Sequence, residues 1–328
     1  MAEPTDTLAV VADIGGTNTR VALSRGTQVI DGSIRRYRNA ENGGLTQVLT
    51  HYLADMNAAP AAACVAMAGP VRDGVGRLTN LDWTIDRDVI RDATRAGTVA
   101  VLNDLQAQGH ALDFLAADAL TELLPGQKAA PHAAKLVIGI GTGMNAAPVF
   151  RLGDQTLVPP SESGHITLPV QTEEELRLMA FIARKHGTPG VEDVLSGRGF
   201  ERVYAWLCEE DGSGTPLDAG AIMQAAADSS DARATKAVVV FSKMLGRVCG
   251  NLALVMLPFG GIYLCGGVAR HFAPHLIAGG FAEAFADKGR FRDFMGQFPV
   301  HLVTDDYAAL TGSACHLAEI LGLHGEKQ

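Results

Sequence analysis

The chain has 328 residues, of which 47% are hydrophobic and 19% charged, enough apolar material for about two packed cores and too much for a disordered segment. Twenty-seven basic against 36 acidic residues leave a net charge of −9, which argues against a nucleic-acid footprint. The five cysteines, Cys64, Cys208, Cys249, Cys265 and Cys315, are odd in number and form no C-x-x-C pair, so neither a disulfide framework nor a zinc site follows from them.

The start, MAEPTDTLAV, is acidic and lacks the basic n-region of a secretory signal. A strand is expected over residues 8–14. It leads through Asp13, Gly15, Gly16, Thr17 and Asn18 into a second strand at 20–24. The basic run RRYR (35–38) reads as a solvated face. A helix follows at 45–56, a strand at 62–68, a helix at 86–96, a strand at 98–102 and a helix at 105–117. Pro125 and GQKAAPHAAK (126–135) mark a connection. Strands at 136–140 and 146–150 then flank Gly141, Thr142 and Gly143, with Pro148 making the second arm an edge or a bulge. Helical patterns occupy 173–185 and 191–208, and after the polar loop EEDGSGTPLDAG (209–220) also 219–227 and 231–257.

In the last of these helices Lys243, Arg247 and Asn251 recur every four residues. One polar stripe on a largely buried helix fits better than a membrane span. A strand at 261–265, the basic run KGRFR (288–292), a strand at 300–303 and a helix at 308–323 complete the chain. Strands alternating with helices mean an α/β fold.

VVADIGGTNTRVAL (10–23) and VIGIGTGMNAAPVF (137–150) share one plan: apolar strand, glycine turn, apolar strand. Two related halves, each aiming a glycine turn at a common cleft, are therefore expected. Backbone N–H groups in such turns can hold phosphate. Asp13 repels a bare phosphate but suits a Mg²⁺ bound to ATP, directly or through water. Neither turn carries the Lys-Ser/Thr of a Walker A loop or a G-x-G-x-x-G fingerprint. Two ordinary hairpin turns are the bland alternative.

ADIGGTNTRVAL resembles the first phosphate loop of the hexokinase/actin-like sugar kinase superfamily. LTNLDW, VLNDLQA, GIGTGMN, ESGHITLP, EDVLSGRGFERVY, GRVCGNLAL, CGGVAR, FADKGRF and LTGSACHL extend the resemblance, in order and spacing, to the bacterial glucokinase family over nearly the whole chain. The resemblance implies a two-domain actin-like (ribonuclease H-like) fold with an interdomain cleft. The small domain comprises 1–114 plus 305–328 and the large domain 115–304. It implies ATP-dependent phosphorylation of the 6-hydroxyl of D-glucose, giving glucose 6-phosphate and ADP. Three positions depart from the family pattern: Asn145, Ser161 and Ser163 stand where glycines are usual.

By the same resemblance, Asn80, Asn103, Asp104, Glu162, His165 and Glu192 contact the sugar. Hydrogen bonds from hydroxyls to charged groups are worth about 1.5–3 kcal/mol each, which makes carboxylates suitable sugar ligands. Asp104 follows a strand end, where α/β sheets bind ligands, and is the expected catalytic base. On its own, an Asn-Asp pair there is more often a helix cap, and Glu192 could merely supply helix N-terminal charge. Ala12, Asp13, Ile14, Gly15, Gly16, Thr17, Asn18, Gly141, Thr142, Gly143, Gly266 and Gly267 are assigned to the nucleotide, with Ser196 and Gly197 at its border, and Asp13 to the metal.

The expected partners are a sugar and ATP, with no nucleic acid and no membrane. The expected location is the cytoplasm, and a homodimer is what the family often forms. The alternatives are a kinase for another hexose or amino sugar, a non-catalytic sugar sensor on the same scaffold, and an actin- or chaperone-like ATPase.

Overall fold

The computed structural model describes residues 7–78 and 83–322. The chain divides into two compact units: Met1–Ala117 with Val149–Pro160 and Asp305–Gln328, and Asp118–Pro148 with Ser161–Thr304.

In the first unit, β1 (Leu8–Ile14), β2 (Asn18–Arg25), β3 (Gln28–Val29), β4 (Arg35–Arg38), α1 (Leu45–Asp55) and β5 (Ala62–Met67) are followed by the short strands β6 (Val71–Arg72), β7 (Val75–Arg77) and β8 (Thr84–Asp86). Next come α2 (Arg87–Thr94), β9 (Thr98–Asn103) and α3 (Asp104–Ala111). The main sheet has the order β3-β2-β1-β5-β9, with β4 also on β2. β1 and β2 form an antiparallel hairpin, whereas β1–β5 and β5–β9 are parallel.

Strands covered on both faces read as continuous apolar runs, and alternate residues serve opposite faces. Val10, Ala12, Ile14, Val65 and Met67 enter a core with residues of α1 and α2, including Val48, Leu49, Tyr52 and Ile90. Ala9, Val11, Cys64, Ala66 and Ala100 face a second layer. There α3 meets the last helix of the chain, Ala308–Ile320, labelled α11 below. The alanines of this layer leave little side-chain bulk. At Gly312 a Cβ would lie 1.7 Å from the Ala107 carbonyl oxygen, so only glycine allows this helix approach.

The second unit holds β10 (Leu120–Leu124), β11 (Lys135–Ile140) and the start of β12 (Met144–Leu152), whose far end pairs with β13 (Gln155–Leu157) in the first unit. Then follow α4 (Glu173–His186), α5 (Gly197–Glu210), α6 (Ala219–Ala227), α7 (Ala232–Met256), β14 (Ile262–Cys265), α8 (Gly267–Leu276), α9 (Phe281–Ala286), α10 (Arg292–Met295) and β15 (Val300–Val303). The strand order is β10-β15-β14-β11-β12-β13. Its core centres on Phe200, Phe241 and Phe272, with the last two rings stacked 3.8 Å apart. Both expected strand–turn–strand units are present, as β1–β2 and β11–β12.

The structure departs from the sequence reading in places. RRYR is solvated as expected, with Arg35, Arg36 and Arg38 exposed, but it also forms β4, paired with β2 from Asn18↔Arg38 to Val21↔Arg35. The helix expected from residue 191 starts at Gly197, because the Ser196 hydroxyl accepts the Gly199 N–H at 2.9 Å and caps it there. Val191–Asp193 is a separate 3₁₀ turn. α3 ends at Ala111 rather than 117. Pro148, expected at an edge or a bulge, is consistent with that reading: it lies outside the β12–β13 register, which spans Phe150 to Leu152.

Among the described residues, α7 is long and apolar enough to cross a membrane, yet most of its apolar window is buried in the protein. Its polar stripe is not uniform. Lys243 and Asn251 are exposed, but Arg247 between them is buried. The Arg247 guanidinium donates to Glu175 Oε2 at 2.8 Å and to the Pro169 carbonyl at 3.1 Å.

Candidate active site

Parallel register aligns the candidate residues of the first unit along one sheet edge. Ile14 pairs with Met67, and Met67 with Asn103. The turn after β1 and the start of α3 therefore stand at the carboxyl edge, two strands or about 10 Å apart. Ligands of α/β sheets bind at such edges.

Gly15–Thr17 turn the chain between β1 and β2. The Gly15 N–H is not open to a ligand, contrary to expectation: it donates to the Asn18 carbonyl at 3.0 Å. The N–H groups of Gly16 and Thr17 have no partner among the described residues. Asn39 braces the turn, a role sequence reading missed. Its amide donates to the Gly15 carbonyl at 2.8 Å, its Oδ1 accepts the Thr19 hydroxyl at 2.8 Å, and its N–H meets the Thr17 carbonyl at 3.0 Å. Ala12 and Ile14 are core side chains and could offer a ligand only backbone.

Asp13 lies directly opposite Arg20 in the hairpin, with Oδ2 2.9 Å from Nη1. Burial raises its pKa above the ordinary carboxylate value, and the attraction and hydrogen bond of Arg20 only partly offset this. A buried carboxylate short of compensating charge has reason to take a dication. With the adjacent donors of Gly16 and Thr17, the turn fits a metal-bound phosphate.

At the end of β9, Asn103 is a helix cap. Its Oδ1 accepts the Leu105 N–H at 2.9 Å, its own N–H donates to Gln106 Oε1 at 3.1 Å, and its Nδ2 donates to the Gly69 carbonyl at 3.0 Å. These bonds fix the first turn of α3. Asp104 is its first residue, with Oδ1 accepting the Leu105 N–H at 2.8 Å. Gln106, also missed, ties the helix to the Val158 carbonyl at 2.8 Å. Asn80 lies outside the described residues.

In the second unit, β11 and β14 are parallel with Gly139 beside Cys265, so the turns following them again share an edge. The Gly141 N–H is satisfied internally by the Gly143 carbonyl at 2.8 Å. This too differs from an open nest. The Gly197 N–H donates to the Gly141 carbonyl at 2.9 Å. Gly266 has φ +98°, and a Cβ there would stand 2.4 Å from the Ile140 carbonyl oxygen. Both constraints demand glycine. Gly267 opens α8, and nothing lies within 4 Å of a Cβ built there. Gly141 and Gly266 thus lie beside the N-termini of two helices, α5 at Gly197 and α8 at Gly267, and helix N-termini favour anions. Ser196 serves as the α5 cap.

Glu162, His165 and Glu192 come together as two adjoining 3₁₀ turns. Ser163–His165 and Val191–Asp193 are joined by a Thr167↔Gly190 bridge and by the Val191 N–H to the Ile166 carbonyl at 3.0 Å. Glu162 and His165 are exposed. Glu192 is half-buried, with Oε2 accepting the Met144 N–H at 2.9 Å. It is held by the backbone beside the second glycine turn rather than acting as a charge on α5.

The approach is close: Cβ atoms on Gly143 and Gly164 would lie 2.5 Å from Glu192 Oε2 and 1.9 Å from the Met144 carbonyl. The three departures from the family pattern form one network. Asn145 Oδ1 accepts the Ser163 N–H at 2.9 Å, its amide donates to the Ser161 carbonyl, and the Ser161 hydroxyl donates to the Ala146 carbonyl. Side chains thus tie β12 to the loop that carries Glu162 and His165.

A glucokinase of Photorhabdus laumondii is 32% identical over 315 residues, covering 96% of this chain and 98% of that protein. The crystal structure of a glucokinase from an Antarctic psychrotroph superposes with a TM-score of 0.84 at 31% identity, covering 95% of this chain and 99% of that one. A ROK-family glucokinase from Streptomyces griseus, solved with glucose and AMPPNP, shares the fold at a TM-score of 0.64 and 19% identity, with coverage of 95% and 99%. The fold is the two-domain α/β architecture of these sugar kinases. The family model for glucokinase matches residues 10–320, and the chain belongs to the glucokinase family.

Proposed function

We propose that the protein transfers the γ-phosphoryl group of ATP to the 6-hydroxyl of D-glucose, giving glucose 6-phosphate and ADP. The observation that carries this reading is the end-to-end family match, which brings with it a carboxylate, Asp104, fixed at the carboxyl edge of the sheet that also ends in the Asp13 turn. Asp104 accepts the hydroxyl proton as the oxygen attacks, a form of help worth roughly 10²–10⁴ in rate. Asn103 holds Asp104 in place. Glu162, His165 and Glu192 pair with sugar hydroxyls, with Asn80 as a further sugar contact. Phosphoryl transfer leaves the protein mostly positioning work.

The donors of Gly16 and Thr17, with Asn18, Thr142 and Gly143, hold phosphates. Gly266 and Gly267 border the rest of the nucleotide. Asp13 would hold Mg²⁺, which when bound neutralises charge on the phosphates. Five free, buried cysteines suit a reducing compartment, and we place the reaction in the cytoplasm.

Two measurements test the proposal. With ATP and Mg²⁺, a sugar panel coupled to ADP detection should give glucose the highest kcat/KM. Asp104→Ala should keep the glucose Kd within a few-fold by calorimetry and lose about 10²-fold or more of kcat. Unchanged turnover in Asp104→Ala, or a preference for a different hexose, overturns the corresponding part.

A further inference from the structure

We propose that His110, His316 and Glu319 form a binding site for Zn²⁺ within the first unit. One ligand atom from each lies within 4.8 Å of the others. His316 and Glu319 are three residues apart on α11 and so share a helix face. His110 reaches them from α3, across the close helix approach that Gly312 permits.

His110 is 5% exposed. Its Nδ1 and that of His316 are buried without a hydrogen-bond partner among the described residues. The His110 Nδ1 stands 3.8 Å from Glu319 Oε2, beyond hydrogen-bond range. The two rings lie with centroids 4.5 Å apart at 52°. Buried polar atoms are nearly always satisfied, and here two ring nitrogens are not, that of His110 facing the Glu319 carboxylate. A dication accepting lone pairs from all three satisfies them at once.

Two imidazoles and a carboxylate make a donor set for Zn²⁺ rather than for Mg²⁺ or Ca²⁺, which take oxygen ligands. Ligands about 2.0–2.1 Å from a tetrahedral ion are roughly 3.3 Å apart. The His110–Glu319 pair is therefore about 0.5 Å too wide, and with all ligand atoms within 4.8 Å of one another no pair exceeds the tetrahedral separation by more than about 1.5 Å, which side-chain rotations on binding must close. Water takes the fourth position. Glu319 is already oriented, since the Thr156 N–H donates to its two oxygens at 3.2 and 3.3 Å, the kind of outer support that metal ligands have. His110 lies six residues beyond Asp104 on α3, about 9 Å along the helix axis. Occupancy therefore pins the helix that carries Asp104 to α11 and, through Glu319, to β13.

The test uses the full chain stripped with EDTA. Equilibrium dialysis should return one Zn²⁺ per chain in the presence of millimolar Mg²⁺, and the thermal midpoint should rise by several degrees at saturation. His316→Gln and Glu319→Gln should each weaken Zn²⁺ binding at least tenfold. Their far-ultraviolet circular dichroism and thermal midpoints in EDTA check that they fold; His316 is the less buried of the two histidines and the milder change. Co²⁺ should give visible d–d bands of a nitrogen/oxygen site without thiolate charge transfer. Failure to retain Zn²⁺, an unchanged affinity in both folded variants, or a thiolate band overturns the site. None of these outcomes depends on which sugar the enzyme phosphorylates.

Discussion

Asp13 is held between two opposing influences. Arg20 favours its charge, but burial opposes that charge more strongly, and its pKa is raised. A carboxyl group whose folded pKa exceeds its unfolded value subtracts stability once both states are ionised. Asp13→Asn should therefore leave the thermal midpoint of the nucleotide-free protein unchanged or slightly higher, while kcat falls about 10²-fold. Differential scanning fluorimetry and a coupled assay check both halves. A midpoint lower by several degrees would mean that the Arg20 ion pair dominates. Asp13 was legible as a candidate because its chemistry is local, an acid beside glycines; Asp104 was legible only through the family resemblance, since an Asn-Asp pair at a strand end on its own reads as a helix cap. Asn39 and Gln106 were not legible, because their partners lie 24 and 52 residues away. Asn145, Ser161 and Ser163 stood out as separate departures, but only the fold reveals that they bond to one another.

Elements with a strong apolar period were readable to within a residue or two, as for β1, β9, α4 and α7. Those set by capping or by pairing were not. The apolar pattern runs unbroken through 191–208, and only the Ser196 cap separates the 3₁₀ turn with Glu192 from α5. β6, β7 and β8, of two or three residues each, carry no period at all. A second cap makes a test at this scale. Asp231 precedes α7, and its Oδ1 accepts the Arg233 N–H at 2.8 Å. The buried Tyr204 hydroxyl donates to its Oδ2 at 2.6 Å.

This hydroxyl, and then the Arg233 guanidinium, pulls the Asp231 pKa down from 3.8 to about 2. A depressed carboxylate contributes stability above its unfolded pKa and loses it as pH falls through the folded value. The contribution is thus complete above about pH 5 and fades between about pH 4 and 2. Tyr204→Phe should lower stability at pH 7 by about 1–2 kcal/mol. In urea titrations its gap from the wild type should narrow below pH 4. A gap constant from pH 7 to 2.5 would show that lost packing, not the charge of Asp231, is responsible.

At the scale of the whole molecule, α7 poses a question hydropathy alone answers wrongly. The helix could span a bilayer by length and composition, yet it is the central packing element of the second unit, with Phe241, Met244, Leu245 and Cys249 fully buried. Arg247 is what separates these descriptions. Its guanidinium is buried against Glu175 and the Pro169 carbonyl, fastening α7 to the start of α4 and to the segment before it. Removing one member of a buried pair strands the other charge and costs about 3–5 kcal/mol. Arg247→Leu makes α7 more apolar, and it should still lower the thermal midpoint by roughly 5–15 °C.

The stranded carboxylate accounts for most of that loss, so neutralising it should restore stability. Glu175→Gln is suited to this, since its side-chain oxygen can still accept the Gln171 and Thr172 N–H groups now bonded at 2.7 and 3.2 Å. The double variant Arg247→Leu/Glu175→Gln should therefore melt above the Arg247→Leu single variant. If single and double variants melt together, the arginine acts through the packing of its aliphatic stem and its bond to Pro169, and the ion pair is incidental to the core.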